Sequence, residues 1–384
     1  MSRDAVPPGP LAGMRIIELG GIGPVPFAAM VLSDLGAEVI RVHRPADRGT
    51  PANPVLDRGR RSLVADLKDP RGAAIVHALI DRADAVLEGF RPGVAERLGF
   101  DPATLADRNP RLVFGRMTGF GQAGPLAARA GHDINYIALS GVLGAIGRPG
   151  GPPVPPLNLV GDFGGGGMLL ALGVLAAVLN ARATGRGQTV DAAMVEGSGL
   201  LMSMIYGRLA QGAWTVDRGA NVLDGGAPFY DTYECADGRH MAVGAIEPKF
   251  FADLVGVLGV ADRIDVAAQL DRSTWPTMRE VFTEAFASAS RDEWTARFDG
   301  VDACVTPVLT MDEVAAHPHN AARESFFTDT GGAIHPAPAP RFADTPCASP
   351  APAPVPGRDT RAILSELGHT AEDIEKLLAQ GIVL

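Results

Sequence analysis

The sequence predicts an α/β protein: a large Rossmann-like domain on a parallel sheet, joined to a smaller α+β domain. Three observations carry this. Through the first half of the chain short β-rich runs alternate with helical spacings, the pattern of a parallel sheet with helices on both faces. After Gly219 the texture changes, and two β-like runs flank Ala236-Asp237-Gly238, where Asp-Gly is a strong hairpin signal. The length, 384 residues, suggests about two domains at roughly 100 to 200 residues each.

In chain order, residues 14–19 read as a strand, broken by Gly20, Gly21 and Gly23. Residues 26–35 have helical spacing and stop at Gly36, and 38–42 return to strand, which completes a βαβ unit. Runs at 63–67, 85–87 and 112–115 supply further strands, with a helix over 70–82 that Asp69 caps. A buried helix over 168–182 ends at Gly185-Arg186-Gly187, and 188–192 is one more strand. In the smaller domain the strands are 230–235 and 239–244, followed by helical segments within 247–302. Eight of the 21 residues from 336 to 356 are proline, which suits an extended strap laid over the surface or over a partner. Two capped helices, 359–367 and 370–380, follow. The expected division is 1–200 with 325–384 as the large domain, 225–305 as the small one, and linkers at 201–224 and 306–324.

Composition narrows the function. Lys plus Arg is 34 and Asp plus Glu is 44, a net charge of −10, so no global field attracts nucleic acid or an anionic membrane. An anionic ligand then has to be small and locally held. Cys235, Cys304 and Cys347 are widely spaced without a C-x-x-C pattern, which argues against a disulfide framework or a zinc site and fits a reducing, cytoplasmic setting. Residues 1–10 hold no apolar signal core, and the longest apolar run, 168–179, falls short of the roughly 20 residues that span a bilayer. No metal and no cofactor apart from the substrate's own groups are expected.

Several residues could carry chemistry. Residues 20–26 sit where a dinucleotide fingerprint would lie, but Pro26 stands in place of its third glycine. At the end of the next strand His43-Arg44 replaces the acidic group that an NAD site uses; the arginine suits a ribose phosphate or is a solvated strand end. Arg91 and Arg97 are placed to reach the same crevice, and three arginines there would match several phosphates. His132 precedes an apolar helix, where an imidazole is held neutral as a general base requires, or where it is simply structural. Asp162 stands before four glycines, Gly164 to Gly167, as a helix cap or as a catalytic carboxylate beside backbone that approaches a ligand. Glu247, before Pro248, reads as a cap in the small domain.

Longer strings carry a resemblance. Gly-Ile-Gly-Pro at 21–24, Asp-Leu-Gly-Ala-Glu-Val-Ile-Arg-Val at 34–42, Glu-Gly-Phe-Arg-Pro-Gly-Val at 88–94 and Arg-Met-Thr-Gly-Phe-Gly-Gln at 116–122 resemble the family III CoA-transferase superfamily. Within it, Gly-His-Asp-Ile-Asn-Tyr at 131–136, Gly-Asp-Phe-Gly-Gly-Gly at 161–166 and Ala-Ile-Glu-Pro at 245–248 are similar to the alpha-methylacyl-CoA racemases. The resemblance runs through nearly the whole chain. It implies the family III CoA-transferase fold and an intertwined homodimer, each active site lying between the large domain of one subunit and the small domain of the other. It also implies an isomerase that acts on acyl-CoA beside the thioester, with His132 and Asp162 as the two bases and Glu247 as an acidic support. For the CoA it implies Arg44 at the adenosine phosphates. Ile22, Ala65, Asp66, Leu67, Lys68, Gly89, Phe90, Arg91, Arg97, Gly131, Asp133, Ile134, Asn135 and Tyr136 would line the channel.

The chemistry is consistent with those residue types. A 2-methylacyl thioester has a weakly acidic α-hydrogen, so racemisation needs a base on one face, an acid on the other and a stabilised enolate oxygen. Two other readings stay open at this level: CoA transfer with Asp162 as nucleophile, and a catalytically silent CoA-binding subunit. Met202, Met204 and Tyr206 suit an acyl surface or plain core, so the acyl group is unspecified.

Overall fold

The computed structural model describes residues 9–384, and most of the N-terminal stretch read above for a signal lies outside them. Its contacts divide the chain into two units. The first takes in the chain up to Ser140, Leu157–Met202 and Pro318–Leu384; the second is Gly141–Pro156 with Ser203–His317. Residues 141–156 and 306–317 thus belong with the second unit, where the large domain and a linker were expected.

The first unit holds the strands Arg15–Leu19 (β1), Glu38–His43 (β2), Arg61–Val64 (β3), Ala85–Glu88 (β4), Val113–Thr118 (β5) and Thr189–Ala193 (β6). They form one sheet in the order β3-β2-β1-β4-β5-β6, with every neighbour parallel. Alternate residues feed opposite cores, as a strand's period of two requires. Ile17, Leu19, Ile40 and Val42 pack with helix Pro70–Ile80 and the C-terminal helices, while Ile16, Val39, Leu87 and Val113 pack with helices Pro24–Asp34 and Leu169–Thr184. Chain direction across the sheet reverses beside β1, so the loops after β1 and β4 part and leave a crevice at the carboxyl edge.

Local differences from the sequence expectation have physical causes. The third strand ends at Val64 rather than running to residue 67, because Ala65 makes only an isolated bridge to Val383 and Asp66 Oδ1 accepts the Lys68 N–H at 2.9 Å, turning the chain. The helix expected at 168 begins earlier. Leu159–Met168 is π-helical and runs straight into Leu169–Thr184, so Gly164 to Gly167 lie inside a helix and do not present free amides at its start. These glycines serve packing. A Cβ on Gly165 would collide with the backbone of Ser198, and one on Gly167 would lie 2.6 Å from Pro24 O. The combined 26-residue helix Leu159–Thr184 is long and apolar enough to cross a membrane, which the shorter run did not suggest. Its Leu170, Val174 and Val178 face nevertheless packs in the core of the sheet.

In the second unit, Tyr230–Glu234 (β7) and His240–Gly244 (β8) form the predicted hairpin, and Val305–Pro307 (β9) adds to β8. Helices Pro248–Leu258, Trp275–Phe286 and Arg291–Phe298 supply much of a core rich in Phe229, Phe251, Phe282, Phe286 and Trp294. The proline-rich strap lies on the first unit of its own chain. Arg58 is buried beneath its start, paired with Asp34 at 2.6 Å and donating to Pro336 O at 2.8 Å, and Gly59 N–H donates to Ala351 O at 2.8 Å.

Candidate active site

Two cavities open at the crevice. The first, about 470 Å³, is lined by Ile22 and Gly23 after β1, Gly89, Phe90 and Arg91 after β4, and Gly119 and Phe120 after β5, together with Gly131, His132, Tyr136, Asn158 and Asp162. The second, about 420 Å³, is lined by Arg41, His43 and Arg44 at the end of β2 and by Leu67, Pro354 and Pro356. Ile22, Gly89 and Phe90 line both, so the two cavities meet at the point where the sheet order reverses. A long ligand with a polyanionic head has its expected place here.

Asp162 reaches the first cavity from within the π-helical turn. Asn158, just before that helix, donates its amide to Asp162 Oδ2 at 3.1 Å, and the Asp162 N–H donates to Asp133 Oδ1 at 2.6 Å. Burial, with the charge of Asp133 behind it, raises the Asp162 carboxyl above its ordinary value despite the Asn158 hydrogen bond and the nearby His132. Asp133 is itself buried, and its Oδ2 has no hydrogen-bond partner. Gly23 closes on Asp162 from the other side: a Cβ there would lie 3.0 Å from Oδ2, and φ is +67. Glycine alone fits this approach.

His132 takes the N-cap position of helix Asp133–Leu139 in extended conformation, its N–H donating to Asn135 Oδ1 at 3.0 Å. This leaves the ring on the cavity wall. Tyr136 donates its hydroxyl to Gly131 O, and burial followed by the Asp162 charge raises the phenol, which stays protonated. In the second cavity, burial and then Arg41 push the His43 imidazole down to about 4, so it is neutral near pH 7. Arg44 is 74% exposed and pairs with Asp47 at 2.7 Å.

The structure therefore gathers Ile22, Gly89, Phe90, Arg91, Gly131, His132, Tyr136 and Asp162 in one cavity and Arg44 and Leu67 in the other. It does not bring in every expected residue. Ala65 is wholly buried, and Asp66, Lys68, Arg97, Asp133, Ile134 and Asn135 line neither cavity. Arg97 folds back beside Gly93 instead of turning into the crevice. Glu247 belongs to the second unit, exposed at the N-cap of helix Pro248–Leu258 with no side-chain capping bond. Asn158, Arg129 and Met194 line the first cavity without having been singled out in the sequence. Asn158 was within reach of sequence reasoning, standing four residues before Asp162, had that stretch been read as helix.

Residues 11–360 match the model of CoA-transferase family III. The chain belongs to CoA-transferase family III. This family III chain is 48% identical over 374 residues to human alpha-methylacyl-CoA racemase, covering 97% of each chain. The mouse alpha-methylacyl-CoA racemase is 47% identical over the same length. A solved CAIB/BAIF family protein from Brucella suis superposes with a TM-score of 0.81 at 26% identity, covering 94% of this chain and 100% of that one. The α/β fold of the family III chain, with its parallel sheet and smaller second unit, follows that architecture.

Proposed function

We propose that this chain is an alpha-methylacyl-CoA racemase, an isomerase that inverts C2 of 2-methylacyl-CoA thioesters. The observation that carries the reading is the presence of His132 and Asp162 on the wall of one cavity, in a chain 48% identical to a racemase over 97% of its length. One of the two groups removes the C2 hydrogen as a proton, and the electron pair moves onto the thioester oxygen as an enolate. The other group then delivers its proton to the opposite face, so the two exchange protonation states and no oxidant or metal is consumed. A raised Asp162 suits both halves, since a carboxyl that titrates closer to neutrality gives up a proton and takes one back more evenly.

The CoA is proposed to run from the first cavity through the Gly89 and Phe90 junction into the second, with its adenosine phosphates near Arg44. Glu247 is proposed to act on the site of a partner subunit in an intertwined homodimer. The unpaired cysteines Cys235, Cys304 and Cys347 support a reducing, cytoplasmic setting.

The test is incubation of one enantiomer of a 2-methylacyl-CoA in heavy water without any acceptor acid. Deuterium should enter at C2 while configuration scrambles. CoA transfer to an added carboxylic acid without C2 exchange would overturn the proposal and make Asp162 a nucleophile.

A further inference from the structure

We propose that Glu18, Arg41, Asp57 and Arg60 form a buried positioning device that holds the loop after β1 against Asp162. This role rests on the reading of Asp162 as a proton-transfer group. Glu18 on β1 stands opposite Arg41 on β2 in the parallel register. Its carboxylate is fully buried, with Oε1 3.4 Å from Arg41 Nη1 and Oε2 3.0 Å from Arg60 Nε. Asp57 closes the ring: its Oδ1 accepts from Arg41 Nη1 at 2.6 Å and from Arg60 Nη1 at 3.0 Å. Two cations and two carboxylates neutralise one another, as a buried cluster requires.

Two donors leave the ring, one for the loop and one for the first turn of helix Pro24–Asp34 that follows it. Arg41 Nη2 donates to Gly21 O at 3.3 Å, and Arg60 Nη2 donates to Pro26 O. Between those carbonyls stand Ile22, which lines both cavities, and Gly23, which abuts Asp162 Oδ2. A glycine-containing loop has unusual backbone freedom, and clamping it on both sides removes that freedom where the carboxylate must keep its place. Arg60 borders the second cavity, but its side chain has no exposed surface, so it acts through the backbone it holds and not on the substrate. Arginine suits the task because its fixed fork serves an anion and a carbonyl at once, which an ammonium on a flexible stem does not.

The device makes a kinetic signature. A loop displaced by a fraction of an ångström lowers the rate of the proton transfer while leaving most contacts to the CoA intact. Arg60→Lys keeps the charge and loses the second donor, and Asp57→Asn weakens the ring without touching the loop. In each, kcat for C2 deuterium exchange is expected to fall on the order of tenfold, with KM for the acyl-CoA changed less than about twofold. Should Arg60→Lys fail to fold, Asp57→Asn at the more accessible end of the ring gives the same reading.

Wild-type kcat in all the folded variants overturns the proposal. So does a raised KM at unchanged kcat, which would make the arginines substrate contacts. If the wild type itself exchanges no C2 hydrogen, the racemase reading fails separately; the same variants are then assayed for CoA transfer through Asp162, where an unchanged kcat again overturns the positioning role.

Discussion

The Asp162 N–H donates to Asp133 Oδ1 at 2.6 Å, so one acidic side chain is fastened to the backbone of another. The charge of Asp133 adds to burial in raising the Asp162 carboxyl. When Asp162 acts as base it has to be ionised, so the acid limb of kcat/KM should lie above the ordinary carboxylate range, near 4. Asp133→Asn removes the neighbouring charge and should move that limb to lower pH; Asn158→Ala removes a hydrogen bond that favours the ionised form and should move it up. A limb unmoved in both variants would detach it from Asp162.

The same shift has a sign for stability. A carboxyl whose folded value is raised contributes stability that is present below the unfolded value and is lost as pH rises through the folded one. Above the folded value the ionised Asp162 therefore costs stability. Asp162→Asn should abolish racemisation while leaving Tm at pH 7 equal to or above that of the wild type, and any gain should vanish in acid. His132→Gln, by contrast, should retain some C2 exchange on the Asp162 face. A destabilised, inactive Asp162→Asn would point to a structural carboxylate.

Gly23 offers a second handle on the same carboxylate. Its φ of +67 with ψ of −109 lies in territory reserved for glycine, and alanine there should cost about 1–3 kcal/mol. Its methyl group would also press on Asp162 Oδ2. Gly23→Ala should lower both Tm and kcat, measured by thermal unfolding and deuterium exchange.

Arg44 tests the nucleotide end. Its guanidinium is already paired with Asp47 and largely in water, so a phosphate would share it with an existing partner. Arg44→Ala should raise KM for acyl-CoA by roughly tenfold with kcat nearly unchanged, and the difference should shrink as salt screens the charge. Titration of KM against ionic strength checks both.

Glu247 tests assembly. If it serves a site in the partner subunit, inactive Asp162→Asn and inactive Glu247→Ala proteins should recover part of the activity when unfolded and refolded together, because mixed dimers carry one intact site. No recovery, with sedimentation showing a folded active monomer of the wild type, would remove the dimer from the mechanism.

The sheet and its crevice were legible because near-continuous apolar runs such as Ile16-Ile17 and Val86-Leu87 have few other ways to fold when separated by helices. Glycines misled the reading of 159–168. A run of four suggested a helix start or a backbone approach to a ligand, whereas here each missing Cβ lets helix Met194–Leu201 or helix Pro24–Asp34 come close, a pairing of segments far apart in sequence. His132, Asp162 and the Gly89-Phe90-Arg91 turn could be found from local strings. Arg41 and Arg60 could not, since a charged residue reads as surface until the parallel register sets Glu18 beside Arg41 and the chain before β3 brings Arg60 to 3.0 Å from the same carboxylate. Arg97 shows the reverse: its spacing from Arg91 points to the crevice, whereas its guanidinium lies beside Gly93 and lines neither cavity.

The strap and the helices after it reach back across the chain to Asp34, Arg58 and the edge of β3, where Ser62 N–H meets Asp359 Oδ2 and Ala65 pairs with Val383. During synthesis the ribosome delivers all six strands of the sheet well before these covering segments. The nascent chain consequently carries an open β edge and an unroofed apolar face while the second unit is still emerging, and that interval is when a chaperone would find the most to hold.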